Sequence, residues 1–197
     1  LDLTPELLAE ARLNAEIAGC SIRFDEGDAE QLPYADASFD VVLSQFGHMF
    51  APRPQAALAE MRRVLKPGGR VAFATWPPEH LVGKILAFVG RHSPAPPPGA
   101  APPPLWGSPP LVAERLGEHF EPPFFERGTM LFSALSLPHY RLFMEHSVGP
   151  LQKLIEAHAA DTAKLAALRA EFDALSGPYF KANIVHQHYL LTRALAC

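Results

Sequence analysis

The chain has 197 residues, 48% of them hydrophobic and 19% charged, and its 17 basic and 21 acidic side chains leave a formal charge of −4. That is enough chain for one substantial core, and the acidic balance offers no electrostatic footprint for nucleic acid or for an anionic membrane. Cys20 and Cys197 make no disulfide framework, and no apolar run approaches the roughly 20 residues that span a bilayer, so a cytoplasmic protein is expected.

The first residues, Leu1-Asp2-Leu3, carry no initiating Met and lead straight into a helix start, so the sequence reads as beginning inside a domain. Thr4 suits an N-cap, Pro5 the first turn, and Glu6 the positive end of the helix dipole. Leu7, Leu8, Ala11, Ala15 and Ala18 form an apolar stripe before Gly19, which predicts a helix over 5–18. Residues 21–26 read as a short strand. Phe39-Asp40-Val41-Val42-Leu43-Ser44 predicts another, continuously apolar at its centre, as in parallel strands covered by helices on both faces. Leu58, Met61 and Leu65 then recur at helical spacing until Pro67-Gly68-Gly69, and residues 70–75 predict the following strand. Helix, strand, helix, strand argues for βα units and a mostly parallel sheet.

Between residues 77 and 123 lie thirteen of the 21 prolines. This stretch reads either as a flexible linker or as an ordered excursion over a cleft. Leu105 and Trp106, costly to leave in water, favour the second. Beyond it come a short helix over 111–119, a strand over 124–131 and helices over 137–148 and 151–160. Asp161 caps a further helix carrying Leu165, Leu168, Phe172 and Leu175, Gly177-Pro178 stops it, and residues 186–194 predict a last strand. The helices within 133–180 are expected to form a covering subdomain on the sheet edge.

Ligands of open parallel sheets lie beyond the carboxyl ends of the strands, which directs attention to four places. Asp2 reads either as an acceptor for a ribose diol or as an acid near a helix start. Asp28, with Ala29 beside it, reads either as an acceptor for an adenine amino group or as the start of a turn. Ser44-Gln45-Phe46-Gly47-His48-Met49-Phe50 is rich in pocket-lining side chains. Phe46 and Met49 serve equally as core there, and His48 is either a base or a hydrogen-bonding group. Trp76, after the strand at 70–75, marks the fourth place. The other histidines, His186 and His188 among them, lack metal-ligand spacing, so no zinc site is expected. Neither a Gly-x-Gly-x-x-Gly loop nor a phosphate-binding Gly-Lys-Ser/Thr loop is present, and no Ser-His-Asp set can be assembled.

Taken in order, Asp2 before a helix, "FDEGDAEQLPYADASFDVVLSQFGHMF" and "ALAEMRRVLKPGGRVAFATW" resemble the class I S-adenosylmethionine-dependent methyltransferases of the small-molecule type, over residues 2–76. The resemblance implies an α/β, Rossmann-like seven-stranded sheet with a helical cover, S-adenosyl-L-methionine as cofactor, and a small-molecule methyl acceptor. It implies neither a nucleic-acid nor a membrane partner. Under it, Asp2 binds the ribose hydroxyls, Leu3 lies against the adenine, Asp28 accepts from its amino group and Ala29 donates a backbone N–H. Ser44 and Phe46 then stand near the methionine end, with Gln45 and His48 near the acceptor. His48 is the candidate catalytic base, with His139 and His146 on the cover behind it. In that family the first strand and a glycine-rich loop precede the position of Asp2. The expected sheet therefore lacks its N-terminal strand, with residues 21–26 parted from 39–44 and backbone groups unpaired across the gap. A homodimer that supplies the strand from a second copy is one arrangement that closes it. The alternative is a degenerate domain with a binding or structural role. A nicotinamide-dependent oxidoreductase is a third reading, and it lacks the dinucleotide fingerprint.

Overall fold

The structure, a computed structural model, describes residues 1–95 and 98–197, so Pro96 and Pro97 of the expected excursion lie outside the described residues. In chain order the elements are α1 (Pro5–Ile17), β1 (Phe39–Gln45), α2 (Pro54–Val64), β2 (Leu65–Thr75), α3 (Leu81–His92) and α4 (Pro109–Leu116). There follow β3 (Phe124–Ser133), α5 (Leu137–Ser147), α6 (Gly149–Ala157), α7 (Thr162–Ser176), β4 (Phe180–Lys181) and β5 (Ile184–Leu195). The sheet runs β1-β2-β5-β3, with β4 also on β5; β1 and β2 are parallel, and β5 is antiparallel to β2 and β3.

α1 and α7 form where the capping pattern places them. The Asp161 carboxylate accepts the Lys164 N–H at 2.9 Å, as a capping Asp should. At α1 the Thr4 side chain makes no cap bond. Instead Asp2 Oδ1 accepts the Thr4 N–H at 2.9 Å, which fixes Asp2 against the helix entry.

Five expectations are corrected. Among the described strands the sheet is not mostly parallel: only β1 and β2 pair in parallel, and all three pairings of β5 are antiparallel. Residues 21–26 form no strand: the Asp2–Glu26 bridge is isolated, because no described strand lies between it and β1 to extend a ladder. Helix α2 ends at Val64, and Leu65 is already extended and paired with Phe39. Pro67-Gly68-Gly69 therefore makes an irregularity inside β2, with Gly68 at φ +71°, and the register passes from Phe39–Leu65 to Val41–Arg70. β1 is not covered on both faces. Val41 is 48% and Leu43 74% exposed, since β1 is an edge strand and the face carrying Leu43 has little packed on it. Finally, the proline-rich region contains α3, whose stretch LVGKILAFVGRH is free of proline and buries Leu81, Ile85, Phe88 and Val89.

Two hydrophobic clusters hold these elements. Leu58 and Met61 of α2, Val71 and Phe73 of β2, Trp106, and Leu116 of α4 pack on one face of the sheet. Trp106 is 1% exposed, and its carbonyl accepts the Thr75 hydroxyl at 2.9 Å, so this end of the excursion is an ordered part of the core. In the second cluster Ile85 and Phe88 of α3 meet Tyr140, Leu154 and Phe172 of α5, α6 and α7, with Val185 of β5. Each large side chain buried this way contributes roughly 1.5–3 kcal/mol. An ion pair of the buried Glu145 with the part-exposed Arg169, at 2.9 and 2.7 Å, ties α5 to α7. Gln187 donates to the Tyr140 hydroxyl at 3.0 Å and ties α5 to β5.

Candidate functional site

A cavity of about 870 Å³ runs along the free edge of β1 and extends past its carboxyl end to His48 and Ala51, with Leu1–Thr4 and Gly27–Ala29 on its far side. Its volume lies within the roughly 300–1,000 Å³ of small-molecule sites.

The far wall is assembled by hydrogen bonds rather than by a strand ladder. The Asp2 N–H donates to the Asp25 carbonyl at 3.2 Å, and the Gly27 N–H to the Asp2 carbonyl at 3.0 Å. Asp28 Oδ1 accepts the Glu30 N–H at 2.8 Å, closing a local turn. The loop that follows is clamped to α2. Arg63 donates to Glu60 at 2.7 Å, to Asp36 at 2.7 Å, and to the carbonyls of Tyr34 and Leu32 at 2.7 and 2.9 Å. Glu60 in turn accepts the Leu32 N–H at 2.7 Å. Hydrogen bonds from Arg63 hold the Glu60 carboxyl below its usual range and so keep it ionised. Glu30, its side chain only 3% exposed, receives Arg53 Nε at 2.7 Å and fixes the other end of the loop.

The near wall carries His48, which is 2% exposed. Its Nδ1 lies 2.9 Å from Ser44 Oγ, the same oxygen accepts the His48 N–H at 3.1 Å, and its ring packs between Phe73 and Trp106. Nε2 has no hydrogen-bond partner among the described residues. Burial, aided by the Arg115 charge, pushes the imidazole down to about 3. His48 is therefore neutral at pH 7 and a weak proton acceptor, and the Ser44 hydroxyl is committed to it. Phe46 stands at φ +61° and stacks on Trp76, with ring centroids 3.9 Å apart and planes 2° from parallel.

Asp2, Leu3, Asp28, Ala29, Ser44, Phe46 and His48, separated by up to 46 positions in the chain, all line this one cavity. Gln45 joins them. His139 and His146 do not: they sit exposed on α5, bonded through Nδ1 to the Leu135 N–H and the Leu142 carbonyl. The sequence reading missed the clamp of Glu30, Glu60 and Arg63. Its signal was present in an acidic loop lying before a helix that carries Glu60 and Arg63 at (i, i+3).

Chemically, Asp2 and Asp28 each retain a carboxylate oxygen with no donor among the described residues. Two such acceptors beside apolar Leu1, Leu3 and Ala29 suit hydroxyl and amino donors on a molecule with a flat apolar body, as in a nucleoside. The residues present therefore fit the nucleoside half of a cofactor. An open α/β sheet with such a cavity at the carboxyl end of a parallel strand defines a nucleotide-cofactor-binding class of protein.

Comparison with known proteins narrows the class. The family profile described as "Methyltransferase domain" matches residues 1–73. An uncharacterised protein of Mycobacterium tuberculosis is 33% identical over 197 residues, covering 100% of this chain and 72% of the relative. A demethylmenaquinone methyltransferase of Deinococcus radiodurans is 53% identical over 94 residues, or 46% of this chain and 39% of that protein. Among solved structures, a putative methyltransferase of Bacillus halodurans C-125 superposes with a TM-score of 0.59 at 18% identity, covering 98% of this chain and 80% of that one. Residues 1–73 belong to the methyltransferase-domain family, which implies S-adenosylmethionine as cofactor, and the fold is that of a solved putative methyltransferase.

Proposed function

We propose that this domain carries the binding and orienting residues for methyl transfer from S-adenosylmethionine to a small-molecule acceptor. The observation that carries the reading is the convergence of Asp2, Asp28, Ser44, Phe46 and His48 on one cavity beside β1. When bound, the cofactor supplies an electrophilic sulfonium methyl. Asp2 accepts from the ribose hydroxyls with Leu3 against the base, Asp28 accepts from the exocyclic amine, and Ala29 donates its N–H. Phe46 closes the wall between the cofactor and the acceptor. Methyl transfer to a well-placed nucleophile draws chiefly on proximity and orientation, which suits a site whose histidine is a weak base. His48 then acts by fixing Ser44 and backing the wall as a neutral, buried group. The long aligned stretch shared with a demethylmenaquinone methyltransferase supports a small organic acceptor rather than a macromolecule.

Equilibrium dialysis with radiolabelled S-adenosylmethionine tests the assignment. Asp2→Ala and Asp28→Ala should each weaken binding about tenfold, the cost of losing a hydrogen bond to a charged acceptor. Unchanged binding in both variants would overturn it. A second reading is a chain that binds cofactor without turnover beside the free edge of β1. Binding without labelled product across a panel of acceptors would select that reading. The same edge suits pairing with a second copy, which concentration-dependent sedimentation reads directly. No described helix is long and apolar enough to cross a membrane. The unpaired Cys20 and Cys197 support a reducing, cytoplasmic setting.

A further inference from the structure

Three aromatic residues and one glycine form a row across the sheet just beyond the carboxyl ends of its parallel strands. Phe46 follows the Gln45–Ala74 pair and Trp76 follows the Thr75–Leu190 pair. Tyr189 comes next on β5, and its register partner on β3 is Gly128. Regular continuation of β1 would put Phe46 on the face of Ser44 and Phe73, away from Trp76. The left-handed backbone at Phe46, an outlier for a bulky residue, turns the ring onto the Trp76 face, where the two stack in parallel. Tyr189 meets Phe46 edge-on, with centroids 6.2 Å apart.

Gly128 is what allows Tyr189 this position. A Cβ there would lie 2.2 Å from Tyr189 Cζ and 2.4 Å from its hydroxyl, so the phenol occupies the space a side chain would fill. Tyr189 is half-buried, and no described residue hydrogen-bonds its hydroxyl. Strained backbone, a side-chain-free neighbour and an unused polar group thus serve one apolar surface, which begins at the cavity wall formed by Phe46.

We propose that this row is the acceptor subsite, and that the acceptor is a planar conjugated ring bearing a polar substituent. The ring lies against the part-exposed Phe46, which the buried Trp76 backs, and the Tyr189 hydroxyl hydrogen-bonds the substituent and so sets which edge of the ring faces the cofactor cavity. Tyr189 and Gly128 become specificity-determining positions. The inference rests on the methyltransferase reading of the adjoining cavity.

Calorimetry with 1-naphthol, and with decahydro-1-naphthol as its saturated counterpart, tests it. The wild-type chain should bind the planar compound about tenfold more tightly, as one to three stacked contacts provide. Gly128→Ala, which displaces the Tyr189 ring, and Tyr189→Phe, which removes only the donor, should each weaken 1-naphthol about three- to tenfold. Binding of S-adenosylhomocysteine should change less than twofold in both, since neither residue lines the cofactor cavity. Equal affinity for the two naphthols, or unchanged 1-naphthol binding in Tyr189→Phe and in any folded Gly128→Ala protein, would overturn the proposal. Loss of S-adenosylhomocysteine binding by the wild type, with the naphthol pattern intact, would instead strike at the methyltransferase reading. Tyr189→Phe deletes a single hydroxyl, so the test stands even where Gly128→Ala does not fold.

Discussion

Replacing His48 with glutamine should flatten the dependence of stability on acid. In the folded chain burial holds the imidazole at about 3, against an ordinary value of 6.5. The unfolded chain takes up this proton below pH 6.5 and the folded chain only near pH 3, so stability falls as pH drops through that window. At about 1.4 kcal/mol per pH unit, the wild type should lose about 2 kcal/mol between pH 7 and pH 5 from this one group. Glutamine has nearly the same bulk, can still reach Ser44 and does not titrate. Urea unfolding of both proteins, followed by circular dichroism at the two pH values, isolates the contribution, because carboxylates titrating elsewhere affect both alike. Equal losses within about 0.5 kcal/mol would show that His48 is not buried as described, and its exclusion as a strong base would fail with it.

Arg63→Ala should cost about 2 kcal/mol by removing the clamp on Glu60, Asp36 and two carbonyls. Hydrogen exchange should show it loosening residues 28–37 before the sheet. Arg169→Ala should cost about 2–3 kcal/mol in urea unfolding, because Glu145, its side chain 5% exposed, keeps only Arg141 at 3.5 Å. Phe73→Ala, in the first core cluster, should cost about 3–5 kcal/mol. Leu43→Ser on the open edge should change stability by no more than about 0.5 kcal/mol, and a larger loss would mean that the Leu43 face is covered in solution.

Local chemistry made the fold legible where it was self-sufficient. Asp161 and the recurring Leu165, Leu168, Phe172 and Leu175 announce α7 because a capped amphipathic helix carries its own instructions, and it forms over Thr162–Ser176. Residues 21–26 resemble a strand locally, yet strands need partners, and no single segment encodes whether a neighbour exists. Leu43 makes the same point: its sequence context says buried, and only the sheet order says edge. α3 was obscured by composition, since prolines on both sides masked a proline-free apolar stretch. For the site, the order of Asp2, Asp28 and Ser44–His48 was enough to place these residues together. The protonation of His48 was not readable, because it depends on Phe73 and Trp106, residues distant in sequence that enclose the ring. The pairing of Tyr189 with Gly128 is equally a product of strand register.

The cavity beside β1, with Asp2 and Asp28 in its wall, is the proposed S-adenosylmethionine site. Calorimetric titration of S-adenosylhomocysteine into the chain, repeated with NAD⁺ as competitor, tests it most directly. One saturable site with a Kd of about 100 μM or tighter, unmoved by NAD⁺, is the predicted result. Absence of binding in that range, or displacement by NAD⁺, would contradict it.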